Sequence, residues 1–137
     1  MTDGDLVAKK LASIETYVGE LRTLSKPREI TTEVRERRFA EHTLQIAIQA
    51  AMDVASHIVS DEKLGEPATN SQLFELLGQA GWLQPAQADR LRRMAGFRNV
   101  LVHGYAVVDP AIVRNVVENQ LGDLLDFVAA IRGRLPG

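Results

Sequence analysis

Apolar residues recur along most of the chain at steps of three and four, the period of a helix that buries one side. Between residues 7 and 21 the stripe is Val7, Leu11, Ile14, Val18 and Leu21, an amphipathic helix that must end ahead of Pro27. The spacing predicts a second helix from Thr31 or Thr32 to about Ser60. Its later half, "LQIAIQAAMDVASHIV", is apolar almost all round, as expected of a helix surrounded by others. A polar loop follows, "SDEKLGEPATN". Thr69 with Gln72 carries a capping-box signature that opens a short helix through Leu76 and Leu77. "GQAGW" ends that helix, and Trp82 is expected to plug the core. Pro85 suits the first turn of a fourth helix, and Asp109 with Pro110 announces a fifth, whose stripe is Val113, Val117, Leu121, Leu124, Val128 and Ile131. No stretch alternates convincingly as a strand. The expected fold class is all-α, a bundle of about five helices in a single domain over residues 1–137.

A chain of 137 residues can bury about 68% of its unfolded surface, enough for a sizeable core. No apolar stretch approaches the ~18 residues of a membrane span. The start, "MTDGDLVAKK", lacks the apolar core of a signal peptide, so the expectation is a cytoplasmic protein with no membrane partner. The chain has no cysteine, which excludes disulfides, thiolate metal sites and cysteine nucleophiles. A net charge of −2 argues against generic nucleic-acid binding, so any RNA contact must come from a local patch. The basic residues are unevenly chosen: 12 of the 16 are arginine. Arginine is the better residue for forked contacts to phosphate, although GC-rich codon usage gives the same bias.

One arginine stands in the wrong place. On the fourth helix Ala88, Leu91, Ala95 and Val102 share a face, with Met94, Phe97 and Leu101 beside them, and Arg98 fills the remaining slot in its middle. A charge there is expensive unless it is paired or borders a crevice. Two readings are open: a salt bridge to a carboxylate elsewhere, with Asp53 as the candidate, or a functional cation. His103 follows five residues later. At about 100° per residue an unbroken helix points it about 140° away from Arg98. Gly104 can end the helix and let His103 swing, or a second copy of the chain can bring its own motif across an interface. Asn99, four residues before His103, is placed to orient the imidazole. Arginine can stabilise charge on a phosphorane and histidine can move protons near neutrality, so phosphate chemistry without a metal is within reach of these residues.

The segment "RNVLVHGY" resembles the motif of the HepT-like branch of the HEPN superfamily: arginine, four residues, histidine, one residue, tyrosine. Arg98, His103 and Tyr105 meet the spacing in full, with Asn99 in its usual place. The likeness extends over "ERRFAEHTLQIAIQAAMDVASHIV", "NSQLFELLGQAGWL" and "RLRRMAGFRNVLVHGYAVVDPAIV", whereas the first 25 or so residues carry little of it. The resemblance implies a small all-α HEPN domain that forms a two-fold dimer, with the motif arginine and histidine lining a cleft where protomers meet. It implies a metal-independent endoribonuclease that uses no cofactor and serves as the toxin of a toxin–antitoxin pair. The antitoxin of such pairs is a minimal nucleotidyltransferase, which silences the toxin by transferring AMP to the motif tyrosine. Carried over, Arg98 and His103 are catalytic, Asn99 is supporting and Tyr105 is the AMPylation site.

The chemistry suits the residues. RNA carries its own nucleophile in the 2′-hydroxyl, so the protein need only move protons and stabilise the phosphorane. One histidine cannot be base and acid at the same instant, and a two-fold dimer supplies a second. In "DRLRRMAGFR" four arginines stand against one aspartate, and Arg90, Arg92 and Arg93 form a candidate RNA-binding patch beside Arg98.

Other signals read as structural. Asp53 and His57 have the spacing of two metal ligands but lie in an apolar helix with no third ligand nearby, so no metal is expected. His42 and His57 read as ordinary helix residues, and "REITTEVRERR" as a solvated face. Two further functions compete with the ribonuclease. One is a non-catalytic helical subunit that helps a minimal nucleotidyltransferase hold its nucleotide or substrate, and the other is a purely structural helical dimer.

Overall fold

A computed structural model of the chain describes residues 3–103 and 108–135. Helix α1, Gly4–Leu24, begins where the Asp3 carboxylate accepts hydrogen bonds from the backbone N–H groups of Asp5 and Leu6 at 3.1 and 3.2 Å. That carboxylate satisfies two of the donors a helix start leaves open. The five residues of the expected stripe, Val7 to Leu21, are the buried ones. Pro27–Glu29 then form a single 3₁₀ turn.

Helix α2 spans Val34–Asp61 and starts two to three residues later than the threonines suggest. Neither threonine caps it. The N–H groups of Thr32 and Glu33 both donate back to the Glu29 carbonyl, prolonging the preceding turn, and Glu33 is the residue at the helix boundary. At its far end Lys63 adopts φ +53, and the Leu64 N–H donates to the Val59 carbonyl at 3.0 Å. This left-handed reversal closes the helix as a glycine usually does.

Helix α3, Asn70–Gln79, opens as the capping signature requires. The Thr69 hydroxyl accepts from the Gln72 N–H, while the Gln72 side chain accepts from the Ala68 N–H, one residue before the cap. Trp82 is buried, and the Arg134 guanidinium lies 4.5 Å over its ring. Helix α4 spans Pro85–His103, and α5 spans Pro110–Asn119 with Asp109 as its cap.

The expected fifth helix is in fact two. The chain turns at Gln120, whose φ −121 and ψ −1 are not helical, and α6 runs over Leu121–Arg134. The single stripe from Val113 to Ile131 serves two sets of neighbours. Helix α5 packs on α2 and the 3₁₀ turn, whereas α6 packs on α1, α4 and α2. A straight helix could not reach both. The result is six helices and no strand among the described residues, with one continuous core.

Helix α2 is the centre of the bundle, touching α1, α3, α4, α5 and α6. Phe74 of α3 and Phe127 of α6 meet edge to face at 5.8 Å within the core. Helices α3 and α4 approach closely at Gly78, where an added Cβ would stand 3.0 Å from the Ala88 Cβ. Gly78→Val is therefore expected to separate the two helices and lower stability by about 1–3 kcal/mol. Urea unfolding beside the unaltered chain measures the difference.

Candidate active site

Helix α4 carries three of the four motif residues. Leu91, Met94 and Ala95 on its inner side are fully buried, whereas Val102, expected on that face, is 38% exposed because the helix end runs out beyond the core. Arg98 lies between these two situations. It is half-buried, one turn beyond Met94 and Ala95, and reaches across to α2.

Its partner there is not the expected carboxylate. An Arg98 Nη donates to the side-chain oxygen of Gln49, and the other Nη donates to Asn99 Oδ1 at 3.4 Å. Arg98 Nε is buried with no hydrogen-bond partner. Asp53 lies one helical turn beyond Gln49 and is held by two other groups. Gln49 Nε2 donates to it at 2.8 Å, and Lys10 Nζ from α1 donates at 3.3 Å. Gln49 thus stands between the guanidinium and the nearest carboxylate of this network, and that carboxylate already has a cation. Among the described residues no carboxylate pairs with Arg98.

His103 does not swing away from the helix: it is the last residue of α4. The angle of about 140° from Arg98 therefore stands within one chain. His103 and Asn99 share the other side of the helix, separated by one turn. They line an open cleft of about 380 Å³ with Ser56, Thr69 and Asn70. Asn99 makes no hydrogen bond to the imidazole in this arrangement, and its side-chain oxygen accepts from Arg98. Asn99 is instead the link between the guanidinium on one side and the histidine cleft on the other. Gly104 and Tyr105 lie outside the described residues.

The arginine patch is a lattice of surface ion pairs. Arg90 Nε stands 3.1 Å from Asp123, Arg92 contacts both Glu75 at 2.7 Å and Asp89 at 3.1 Å, and Arg93 stands 3.0 Å from Asp89. Burial pushes the Asp123 carboxyl above the usual carboxylate range, and the neighbouring Arg90 offsets part of that rise. Of the four arginines on α4, Arg98 alone lacks a carboxylate among the described residues.

The discounted pair Asp53 and His57 is not brought together as a ligand set. His57 Nε2 stands 3.1 Å from the Asp61 carboxylate one turn away, in a contact not aligned as a hydrogen bond, while Asp53 faces Lys10 and Gln49. His42 is exposed on α2. Gln49 and Lys10 are the members of the site that sequence reasoning missed. The available signal was Gln49 itself, a polar residue in the apolar stretch of α2 and one turn from Asp53.

A family model described as "Ribonuclease HepT-like" matches residues 11–131, nearly the whole bundle. The chain belongs to the HepT-like ribonuclease family. It is 35% identical over 89 residues to the mRNA nuclease HepT of Shewanella oneidensis, a match covering 65% of this chain and 67% of that protein. It is 39% identical over 75 residues to the tRNA nuclease HepT of Aphanizomenon flos-aquae, covering 55% of this chain and 51% of that one. Its fold superposes on the tri-AMPylated Shewanella oneidensis HEPN toxin in complex with MNT antitoxin with a TM-score of 0.89 at 26% identity, covering 96% of this chain and 100% of the toxin. The HEPN architecture and the HepT-like membership read from "RNVLVHGY" thus both hold. Among the described residues no helix is long and apolar enough to cross a membrane.

Proposed function

We propose that the protein is an endoribonuclease of the toxin type, held in check by a minimal nucleotidyltransferase antitoxin that transfers AMP to it. The observation that carries the catalytic reading is Arg98, a half-buried guanidinium on the core side of α4 with neutral partners only. A structural arginine in that position gains most from a carboxylate, because an uncompensated charge away from water is costly. A cation left without a counter-ion is suited to an anion that arrives and leaves.

In the proposed reaction the RNA 2′-hydroxyl attacks the adjacent phosphorus while a proton leaves it for a histidine. The 5′-oxygen of the departing nucleotide takes a proton as the P–O bond breaks. The products are a 2′,3′-cyclic phosphate and a free 5′-hydroxyl. Arg98 stabilises the negative charge that builds on the non-bridging oxygens, so the step needs no metal. His103 moves the protons. Arg98 and His103 diverge within one chain, and the base and the acid act on opposite sides of the phosphorus. A two-fold dimer that juxtaposes two α4 ends supplies both requirements, each protomer giving one Arg98 and one His103. Arg90, Arg92 and Arg93 hold the flanking backbone. The pairs of Arg92 and Arg93 with Glu75 and Asp89 are exposed and worth at most about 1 kcal/mol each, so RNA phosphates can displace those carboxylates, whereas Asp123 beside Arg90 is partly buried.

Arg98→Ala and His103→Ala are each expected to reduce RNA cleavage in EDTA by ~10²–10⁴-fold with the helical circular dichroism unchanged. Wild-type cleavage by either folded variant overturns the assignment of the site. Light scattering at micromolar concentration should report twice the chain mass of 15.1 kDa, and a monomer that cleaves RNA at full rate overturns the shared site.

Tyr105 is the proposed acceptor of AMP. Its hydroxyl attacks the α-phosphorus of ATP and pyrophosphate leaves. The hydroxyl is neutral at pH 7, with a usual pKa of about 10, so the antitoxin must activate it. Co-expression with the antitoxin should add one or more AMP units to the chain, with the first on Tyr105. Tyr105→Phe should remain unmodified and toxic. Peptide mass spectrometry that finds an inhibited chain without AMP on Tyr105 means that inhibition is by binding instead.

A further inference from the structure

Resting on the ribonuclease reading, we infer that Gln49 is a positioning residue for the catalytic arginine, and that its neutrality is what keeps Arg98 available to a phosphate. Three groups lie in line behind the guanidinium. Gln49 accepts from Arg98 through its side-chain oxygen and donates through its nitrogen to Asp53, which also accepts from Lys10. The amide performs two tasks that a carboxylate at the same position could not combine. It fixes the guanidinium by a directed hydrogen bond, and it leaves the positive charge uncompensated. Asp53 fixes the amide in turn, because only the nitrogen can donate to a carboxylate and only the oxygen can accept from arginine. The flip state of Gln49 is thereby determined by its neighbours. Lys10 pairs with Asp53 at 3.3 Å and offsets part of its negative charge, and the amide keeps that carboxylate out of direct contact with Arg98.

The cation is accordingly exposed on one side only. Gln49 and Asn99 occupy two of its five N–H directions, and the Nε–H is buried with no partner. Incoming phosphate oxygens meet a guanidinium whose position is set and whose charge is intact, the condition for stabilising charge as it develops. A glutamate in place of Gln49 would keep the size and the acceptor toward Arg98 and convert that contact into an ion pair, while losing the donor to Asp53 and placing a second carboxylate beside it. That change closes the site at the cost of one hydrogen bond to Asp53, so the salt dependence of binding, and not stability, is what tests it.

The test uses the full chain with His103→Ala, which holds RNA uncut, and an RNA oligonucleotide as the probe. Adding Gln49→Glu should weaken binding and make the slope of log affinity against log salt shallower by about one, as Arg98→Ala does. Combining Gln49→Glu with Arg98→Ala should produce no further loss, because both remove the same phosphate contact. Gln49→Met, neutral and of similar length, should retain the salt slope while lowering the cleavage rate of the otherwise wild-type chain. Cleavage by Gln49→Glu should fall on the order of 10²-fold while its helical circular dichroism is retained. An unchanged salt slope in Gln49→Glu, or an equal loss with and without Arg98, overturns the inference. If Gln49→Glu does not fold, Gln49→Met decides: a salt slope lost with a neutral side chain excludes the role of charge. A wild-type chain that binds RNA through Arg98 and never cuts it overturns the ribonuclease reading and leaves Gln49 its role.

Discussion

Every other helix leans on α2, and what permits this is the row of small side chains along it. Ala40, Ala47, Ala50, Ala51 and Ala55 are buried on several sides of one helix. Large residues at these positions would hold neighbours apart at the usual 8–10 Å of packed helices or farther, and five partners could not be accommodated. Between these alanines α2 contributes Leu44, Ile48 and Ile58, and its neighbours add Leu11 and Ile14 of α1, Phe74 of α3, Leu91 of α4 and Phe127 of α6, all nearly or wholly inaccessible. The site follows from this arrangement. Because α4 lies close against α2, a guanidinium on its inner side finds Gln49 within hydrogen-bond reach and needs no carboxylate of its own.

Charge is distributed by the same logic. The chain is acidic in total, yet its carboxylates are not spread evenly over its cations. Glu75 and Asp89 gather Arg92 and Arg93 into exposed pairs, the partly buried Asp123 takes Arg90, and Glu15 takes Arg132 in a hydrogen-bonded pair between α1 and α6. Exposed pairs of this kind contribute little to stability and exchange readily with solvent or with another anion. Arg98 stands apart because its surroundings are half-desolvated and its partners are amides. The one carboxylate that belongs to its network is removed by a turn of helix and by a lysine. Net charge therefore says little about what this face of the molecule can bind, and the placement of one guanidinium says much more.

The helical period showed where the core would lie, and the five residues of α1 and the buried half of α2 fell where the stripe put them. It failed where two physical demands competed. The stripe from Val113 to Ile131 is continuous in sequence, but no straight helix satisfies both sets of neighbours, and the break at Gln120 carries no glycine or proline of its own as a signal. Thr31 and Thr32 look like caps, yet the 3₁₀ turn begun at Pro27 already occupies the backbone around them. Arg98 was legible as an anomaly because periodicity measures its angle within one helix. Its partner was not, since Gln49 lies 49 residues away, and nothing in the local pattern distinguishes an amide facing α4 from a carboxylate facing it.

The position of the motif on α4 also separates regulation from folding. Leu91, Met94 and Ala95 anchor the helix from within, and all three lie before the first motif residue. Arg98, Asn99 and His103 occupy its last two turns, where burial decreases from half-buried to exposed. The AMP transfer proposed for Tyr105 falls two residues further along the sequence. On that proposal AMP adds a negative charge and a bulky group close to the motif in sequence, and among the described residues Arg98 is the arginine of α4 without a carboxylate partner. Electrostatics and occupancy oppose the RNA together, and neither requires the bundle to open. In that reading the arginine that lacks a carboxylate serves both the proposed reaction and its proposed silencing.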